Sequence, residues 1–527
     1  MIILRNVKVP LDGNFSDMTA LFSDATGYVP KGEASLYKRA VDARDRKNVH
    51  FNCTFILEDD RAKSAKCLAR FSPENYEPVI YKYKTATPGK HRPVVIGFGP
   101  AGMFSALCLA RSGLKPIVFE RGCDAETRAK DIEIFWNGGR LDPDSNIQFG
   151  EGGAGTFSDG KLNTGIKDPR IREVLHIFSN HGAGEKILYD AKPHIGTDIL
   201  INVVQSIRKE IIGLGGEVHF GHRLTGIKVS GGAVSAAEIS HGGICENVPC
   251  DSLILAIGHS ARDTFQMLKS IGIKMEPKPF AVGARIEHPQ SLINRAQYGG
   301  FAGHRALSAA DYRLAVHLQN GRGVFTFCMC PGGVVVNASS EQDGVVTNGM
   351  SYHKRDGENA NSAVLVGVGV EDYYKGDVLD GVRFQKDIEA AAYKAGNGRP
   401  ICQSVGDFLS KKATADDYSG EVMPTLRPGV TFGSISDALP EFICDSMREG
   451  IALFDKRLPG FASPEALLTA PETRSSSPVK IVRDDGFEGS VSGLFPCGEG
   501  AGYAGGITSA AVDGLKTAEA VINKVYF

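Results

Sequence analysis

Apolar residues recur along this chain in two rhythms, separated by polar, glycine-rich breaks. Short β-branched or alternating runs predict strands, and runs with a period near 3.6 predict helices. The pattern predicts strands at 2–9, 34–43, 49–57 and 79–83, with helices at 15–22 and 60–69. It then predicts a strand at 94–96, a helix into 110, a strand at 117–119 and a helix at 124–136. A helix opens at Thr197, read as its N-cap, and stops at Gly215-Gly216. Strands follow at 217–220, across 226–240 as a pair, and at 252–258, then a helix at 261–270. Over 276–470 short strands dominate (280–286, 314–318, 324–329, 334–338, 363–370), with helices at 380–395 and 436–454. A strand at 493–497, a glycine loop and a helix at 507–524 close the pattern.

These elements predict an α/β chain in four segments. Residues 1–88, in the order β-α-β-β-α-β, are expected to form a small α+β ferredoxin-like domain. Residues 91–275 and 471–527 are expected to form one Rossmann-like domain, split by an inserted β-rich cap or substrate domain over 276–470.

The most informative stretch is 93–120. Its strand breaks at Gly97-Phe98-Gly99-Pro100-Ala101-Gly102, a helix follows, and the next strand ends on Glu120. Gly97 permits the turn, Gly99 lets a pyrophosphate approach the backbone, and Gly102 lets helix and strand pack closely. The helix N-terminus offers free N–H groups and partial positive charge to phosphate. Glu120 stands where a carboxylate accepts ribose hydroxyls, with Arg121 beside it. The motif therefore points to a bound dinucleotide. Residues 93–110 carry no charge and are long enough to suggest a membrane span. Two prolines and three glycines in the first ten residues argue against that.

Composition changes the picture little: 42% hydrophobic and 23% charged over 527 residues, with net charge −2. No global field draws the chain to nucleic acid or membrane. Lys38, Arg39, Arg44, Arg46 and Lys47 cluster in the N-terminal segment, read as a solvated face, with an RNA-binding role as the alternative. Eleven scattered cysteines without CxxC, and no signal peptide, predict a cytoplasmic protein with neither a zinc site nor a flavin-disulfide site. Cys328 and Cys330 are two apart on a strand and are expected to be buried as small apolar side chains. In the glycine-rich run 149–161, Gly152, Gly153, Thr156, Ser158 and Lys161 suggest a backbone cradle along a cofactor, against a flexible solvent loop.

Three separated segments agree: GFGPAG with Glu120, LILAIG at 253–258, and LFPCGEGAGYAGGITSAAVDG at 494–514. Together they resemble the FAD-binding domain of the glutathione-reductase superfamily. The resemblance implies FAD. It places Gly498 and Glu499, in place of the commoner Asp, at the ribitol. It places Gly505, Gly506 and Ile507 at the flavin, and Leu224, Ala256 and Gly258 in the cradle. A wider resemblance rests on LYKRAVDARD (36–45), GEGGAGTFSDGKL (150–162), HIGTD (194–198), AIGHSARDTF (256–265), FAVGARIEHPQ (280–290), FCMCPGGVVV (327–336) and ETRSSSPVKI (472–481). These are similar to a family of uncharacterised bacterial FAD-dependent dehydrogenases with a ferredoxin-like N-terminal domain.

The resemblance implies an FAD-dependent oxidoreductase transferring hydride to or from a small-molecule substrate. NAD(P)H, if it is the donor, would reach the flavin directly, because no second nucleotide motif is present. The alternatives are an RNA-modifying flavoprotein and a non-catalytic FAD-binding scaffold. Proton-transfer or binding candidates are His259, Glu472, Arg474 and His288, with Arg474 read as an anion binder. His194 is read as a packing residue, and Arg285 with Glu287 as a structural ion pair.

Overall fold

The computed structural model describes residues 1–526. Phe527, the last residue of the segment expected to complete the Rossmann-like domain, lies outside the described residues.

The apolar run Val94–Ile96 is fully flanked, so it becomes the middle strand of a five-stranded parallel sheet. The order across that sheet is Leu494–Pro496, Leu253–Leu255, Val94–Ile96, Ile117–Glu120, Glu217–Phe220. Every residue of the first three strands is buried, the signature of a sheet covered on both faces. Helix Pro100–Arg111 follows the middle strand and lies against Ile507–Val525. The approach is close because Gly514 faces Ala101: a Cβ there would sit 2.3 Å from the Ala101 carbonyl oxygen. Ser105 Oγ donates to the Gly514 carbonyl at 3.0 Å and fastens the two helices.

Met275–Pro277 pairs antiparallel with Val479–Ile481. This ribbon is where the chain leaves for, and returns from, a mixed seven-stranded sheet. Its order is Ala315–His317, Gly323–Cys330, Asn359–Val368, Phe280–Pro289, Leu467–Glu472, Ile401–Ser404, Thr431–Phe432. A three-stranded antiparallel sheet spans Arg223–Ser230, Ala233–His241 and Ile244–Pro249, one strand more than the expected pair. Val334–Asn337 and Thr347–Met350 form a second ribbon.

The N-terminal strands order as Ala34–Asp42, His50–Leu57, Ile2–Val9, Glu74–Asn75. Three expectations fail here. The helix at 60–69 is two 3-10 turns, Asp60–Ser64 and Lys66–Phe71, because Ala65 between them is extended and uncapped by a side chain. The strand at 79–83 is absent and Glu74–Asn75 takes its place. Val79 and Ile80 are exposed, while Tyr81 and Tyr83 turn away to donate to Glu519 and Glu173. The first helix is Met18–Thr26 rather than 15–22, since Asp17 caps it by accepting from Ala20 N–H. Thr197 is likewise the first helical residue rather than the cap, and its hydroxyl donates to the Thr156 carbonyl at 2.7 Å. Among the described residues no helix is long and apolar enough to cross a membrane.

Candidate functional site

The C-terminal ends of the parallel strands open into a cleft of about 980 Å³. A crevice at this end of a parallel sheet is where such folds bind ligands. Fourteen of the residues singled out from the sequence line it: Gly97, Gly99, Pro100, Ala101, Glu120, Arg121, Gly153, Leu224, Ala256, Gly258, His259, Glu499, Gly506 and Ile507. Two helix N-termini face the same space. Pro100–Arg111 starts after Gly99, Ile507–Val525 starts after Gly506, and neither has a side-chain cap. Each leaves backbone N–H groups and a positive dipole end for a ligand.

The three motif glycines do different jobs. At Gly102 a Cβ would lie 1.9 Å from the Gly97 carbonyl oxygen, so that position serves packing. At Gly97, with φ +92°, it would meet the Ala256 carbonyl oxygen at 2.3 Å. At Gly99 the nearest atom would be Gly153 Cα at 3.6 Å, an ordinary contact, so the space beside Gly99 is kept for something else.

Glu120 is buried and its carboxylate accepts three backbone N–H groups: Phe98 at 2.8 Å, Gly122 at 2.9 Å and Gly150 at 2.9 Å. It therefore staples the motif turn to the glycine-rich run and keeps only its remaining lone-pair capacity for a ribose. Arg121 reaches Asp263 at 2.5 Å and lies over the Phe149 ring at 4.4 Å.

The rest of the cradle expected from 149–161 stands behind the cleft wall. Gly152 N–H donates to the Phe98 carbonyl at 2.8 Å. Thr156 Oγ1 donates to Glu151 O at 3.3 Å, and Ser158 Oγ to Gly155 O at 2.6 Å. Lys161 pairs with Asp159 at 2.9 Å and donates to the Met329 carbonyl. Gly498 N–H donates to Asp513 at 2.7 Å, and Gly505 N–H to Ser509 Oγ at 3.2 Å.

Sequence reasoning missed the residue that holds this run in shape. Arg128 is fully buried and donates to four carbonyls: Asn146 and Glu151 at 2.7 Å, Ile147 at 2.8 Å and Gly153 at 2.9 Å. The signal was available. Arg128 falls at helical spacing among Ala125, Ile132 and Trp136, the other buried residues of its helix. Gln148 was also missed; it accepts from Ser260 Oγ at 3.1 Å and donates to Ala338 O at 3.1 Å, tying the cleft to the second ribbon.

Of the four proton-transfer candidates only His259 reaches the cleft. Its Nδ1 stands 3.7 Å from Glu499, and its Nε2 is buried without a hydrogen-bond partner. Burial, reinforced by Arg474 and Arg262, holds the imidazole down at about 4, so it is neutral. His288 Nε2 donates to the Phe461 carbonyl, 2.8 Å away, deep among rings. Glu472 makes a bidentate pair with Arg285, both contacts at 2.6 Å. That corrects the expected Arg285–Glu287 pair: Glu287 instead accepts from Thr425 and Asn359. Arg474 is committed to Glu389 at 2.9 Å and to Ser340, which leaves no guanidinium face for a substrate anion. His194 stacks on His353 at 5.4 Å, away from the cleft lining. In the N-terminal segment Arg39 pairs with Asp190 and Arg44 with Asp42.

Burial, only partly offset by Lys278 and the Gly506 N–H, pushes the Glu499 carboxyl up to about 7. A folded-state value above the ordinary carboxylate range means the folded protein binds the extra proton, so stability falls as pH rises from about 4.5 to about 7. Above that window the penalty is fully present. Glu499→Gln is therefore expected to stabilise the FAD-free protein at about pH 8, by up to about 3 kcal/mol, and to leave it unchanged near pH 5. Thermal melts of both proteins at both pH values check this; a gain at pH 5 as large as at pH 8 would refute it.

A family model described as "FAD-dependent protein, C-terminal domain-like" matches residues 279–475. An uncharacterized protein of Clostridium beijerinckii is 47% identical over 499 residues, 93% of this chain and 92% of that one. Among solved structures, a geranylgeranyl bacteriochlorophyll reductase-like protein from Thermoplasma acidophilum aligns over 82% of this chain and 78% of its own, at 13% identity and TM-score 0.37. A glycerol-3-phosphate dehydrogenase from Bacillus halodurans, complexed with FAD, aligns over 83% and 65%, at 11% identity and TM-score 0.36. The cofactor is FAD. The cleft fits it: His259 Nε2 lacks a partner, and at Gly258 and Gly506 an added Cβ would meet no protein atom within 4 Å.

Proposed function

The chain belongs to one family with the Clostridium beijerinckii protein, and on that premise we propose that it is an FAD-dependent oxidoreductase. The observation that carries the reading is the pair of uncapped helix N-termini facing one cleft that Glu120 and Glu499 also line. In this reading Gly99, Pro100 and Ala101 hold the pyrophosphate, and Glu120 the adenosine ribose. Glu499 holds a ribitol hydroxyl, and Gly506 and Ile507 meet the flavin ring. Bound FAD supplies two-electron, hydride-type chemistry. The chain's own contribution is electrostatic and steric. The positive dipole end of Ile507–Val525 favours negative charge near its first turn. Neutral His259 offers a ring nitrogen as donor or acceptor without bringing a charge.

The same reading treats 91–275 with 471–527 as one split Rossmann-like FAD domain of the glutathione-reductase type, and 276–470 as a cap bearing the substrate side. Residues 1–88 are read as a ferredoxin-like domain, supported by the antiparallel strand order and despite the 3-10 turns in place of a second helix. The substrate is a small molecule, with NAD(P)H as donor reaching the flavin directly. A cytoplasmic location is supported by eleven scattered cysteines.

Purified protein is expected to be yellow and to bleach anaerobically on adding NADH or NADPH. A protein that takes up FAD but keeps its colour with both nucleotides would refute NAD(P)H as donor. A colourless protein that cannot take up FAD would overturn the whole reading.

A further inference from the structure

Strand Gly323–Cys330 pairs regularly with Asn359–Val368 as far as Phe327, opposite Ala363. The next pair is Cys330 opposite Asn361, so one extra residue is inserted between them. The bulge bends the strand, and Cys328 takes φ +43°, which non-glycine residues seldom adopt. In a flat strand two residues advance the chain by about 6.6 Å. At the bulge the Cys330 thiol donates to the Cys328 carbonyl oxygen, 3.2 Å away.

The backbone here is held by two cations. Arg285 donates to the Cys328 carbonyl at 3.0 Å, and Lys161 to the Met329 carbonyl. Lys161 connects this turn to the cleft. Its neighbour Leu162 accepts from Thr508 Oγ1 at 2.8 Å, and Thr508 lies in the first turn of the helix whose Gly506 and Ile507 line the cleft. Glu499, on the cleft wall, feels the charge of Cys328.

We propose that Cys328 and Cys330 form a redox-active dithiol–disulfide pair that exchanges two electrons with the bound flavin. The adjacent Cys330 thiol, with the charges of Lys161 and Arg285, lowers the Cys328 thiol and favours its thiolate, while the same neighbour and burial hold Cys330 up as the thiol. Burial holds Cys53, Cys108, Cys250 and Cys402 up at about 12, as inert thiols. Cys328 is only half-buried. As the S–S bond forms, thiolate and thiol together release two electrons and one proton. With one further proton from solvent these convert FAD to FADH2, and the reverse reaction reopens the disulfide. The proposal rests on the FAD-dependent oxidoreductase reading and adds a second electron reservoir to it.

The test has two arms on the full-length, FAD-loaded protein. Oxidation with diamide, denaturation, alkylation and peptide mapping should find Cys328 linked to Cys330. Anaerobic dithionite titration of the oxidised protein should consume two electron pairs per FAD, and one pair in either Cys328→Ser or Cys330→Ser. Thiols that stay unlinked after diamide would overturn the proposal, as would a wild-type titration ending at one pair. Failure of the FAD reading would look different: the protein would carry no flavin at all, while the peptide map would still report on the thiols.

Discussion

Gly99→Val is expected to yield a folded protein that retains no FAD. The distinction lies in what surrounds each motif glycine. At Gly102 any side chain collides with the Gly97 carbonyl oxygen, so substitution there would break the strand–helix contact itself. At Gly99 φ is −74°, a value open to every residue, and the first added carbon makes only an ordinary contact with Gly153. The protein can therefore accept a side chain, but the branched methyls of valine extend into the cleft at the uncapped N-terminus of Pro100–Arg111. Backbone approach of a pyrophosphate to that N-terminus is what the missing side chain permits. Absorbance of the purified protein reads flavin content, and circular dichroism reads folding. A folded Gly99→Val protein with full flavin content would remove the pyrophosphate from this turn.

Glu389→Ala is expected to be strongly destabilising. Glu389 lies on helix Asp380–Ala395 and is almost fully buried. Its carboxylate accepts from Arg262 at 2.8 Å, from Arg474 at 2.9 Å and from Thr473 at 2.6 Å. Both guanidinium side chains are less than a tenth exposed, at 8% and 3%. Removing the acid leaves two buried cations with Glu341 as their remaining carboxylate partner. Breaking a buried network from one side typically costs about 3–5 kcal/mol. Burial alone would push the Glu389 carboxyl up, but Arg474 and Arg262 more than offset it and hold it at about 2. A depressed value means this stability is present above the ordinary carboxylate range and is lost only as pH falls toward 2. Denaturant unfolding of the variant at neutral pH measures the cost. A loss under about 1 kcal/mol would show the network to be dispensable.

The nucleotide-side elements were legible because their constraints are local. A glycine that cannot carry a Cβ and a short apolar run announce themselves within the single stretch 93–120. The polar interior was not legible for the opposite reason. Arg474 reads as an anion binder until Glu389 is known to face it, and Arg285 seems to match Glu287 until the register of Phe280–Pro289 on Leu467–Glu472 delivers Glu472. Those pairings depend on strands and helices distant in sequence, and no spacing rule encodes them. The strand expected at 79–83 failed similarly. Its alternation is real, but no neighbouring edge takes it, and its tyrosines bond to Arg111, Glu173 and Glu519 on three later helices instead of joining a sheet.

The parallel sheet also constrains when the cofactor can enter. Strand Leu494–Pro496 pairs with Leu253–Leu255, and Ile507–Val525 closes over Pro100–Arg111. During synthesis the ribosome makes these closing elements only after all seven strands of the large sheet. Until then the Leu253–Leu255 edge is unpaired and one of the two helix N-termini does not exist. A cleft with both helix N-termini in place thus forms late, and the growing chain carries an open apolar edge of the kind that chaperones shield.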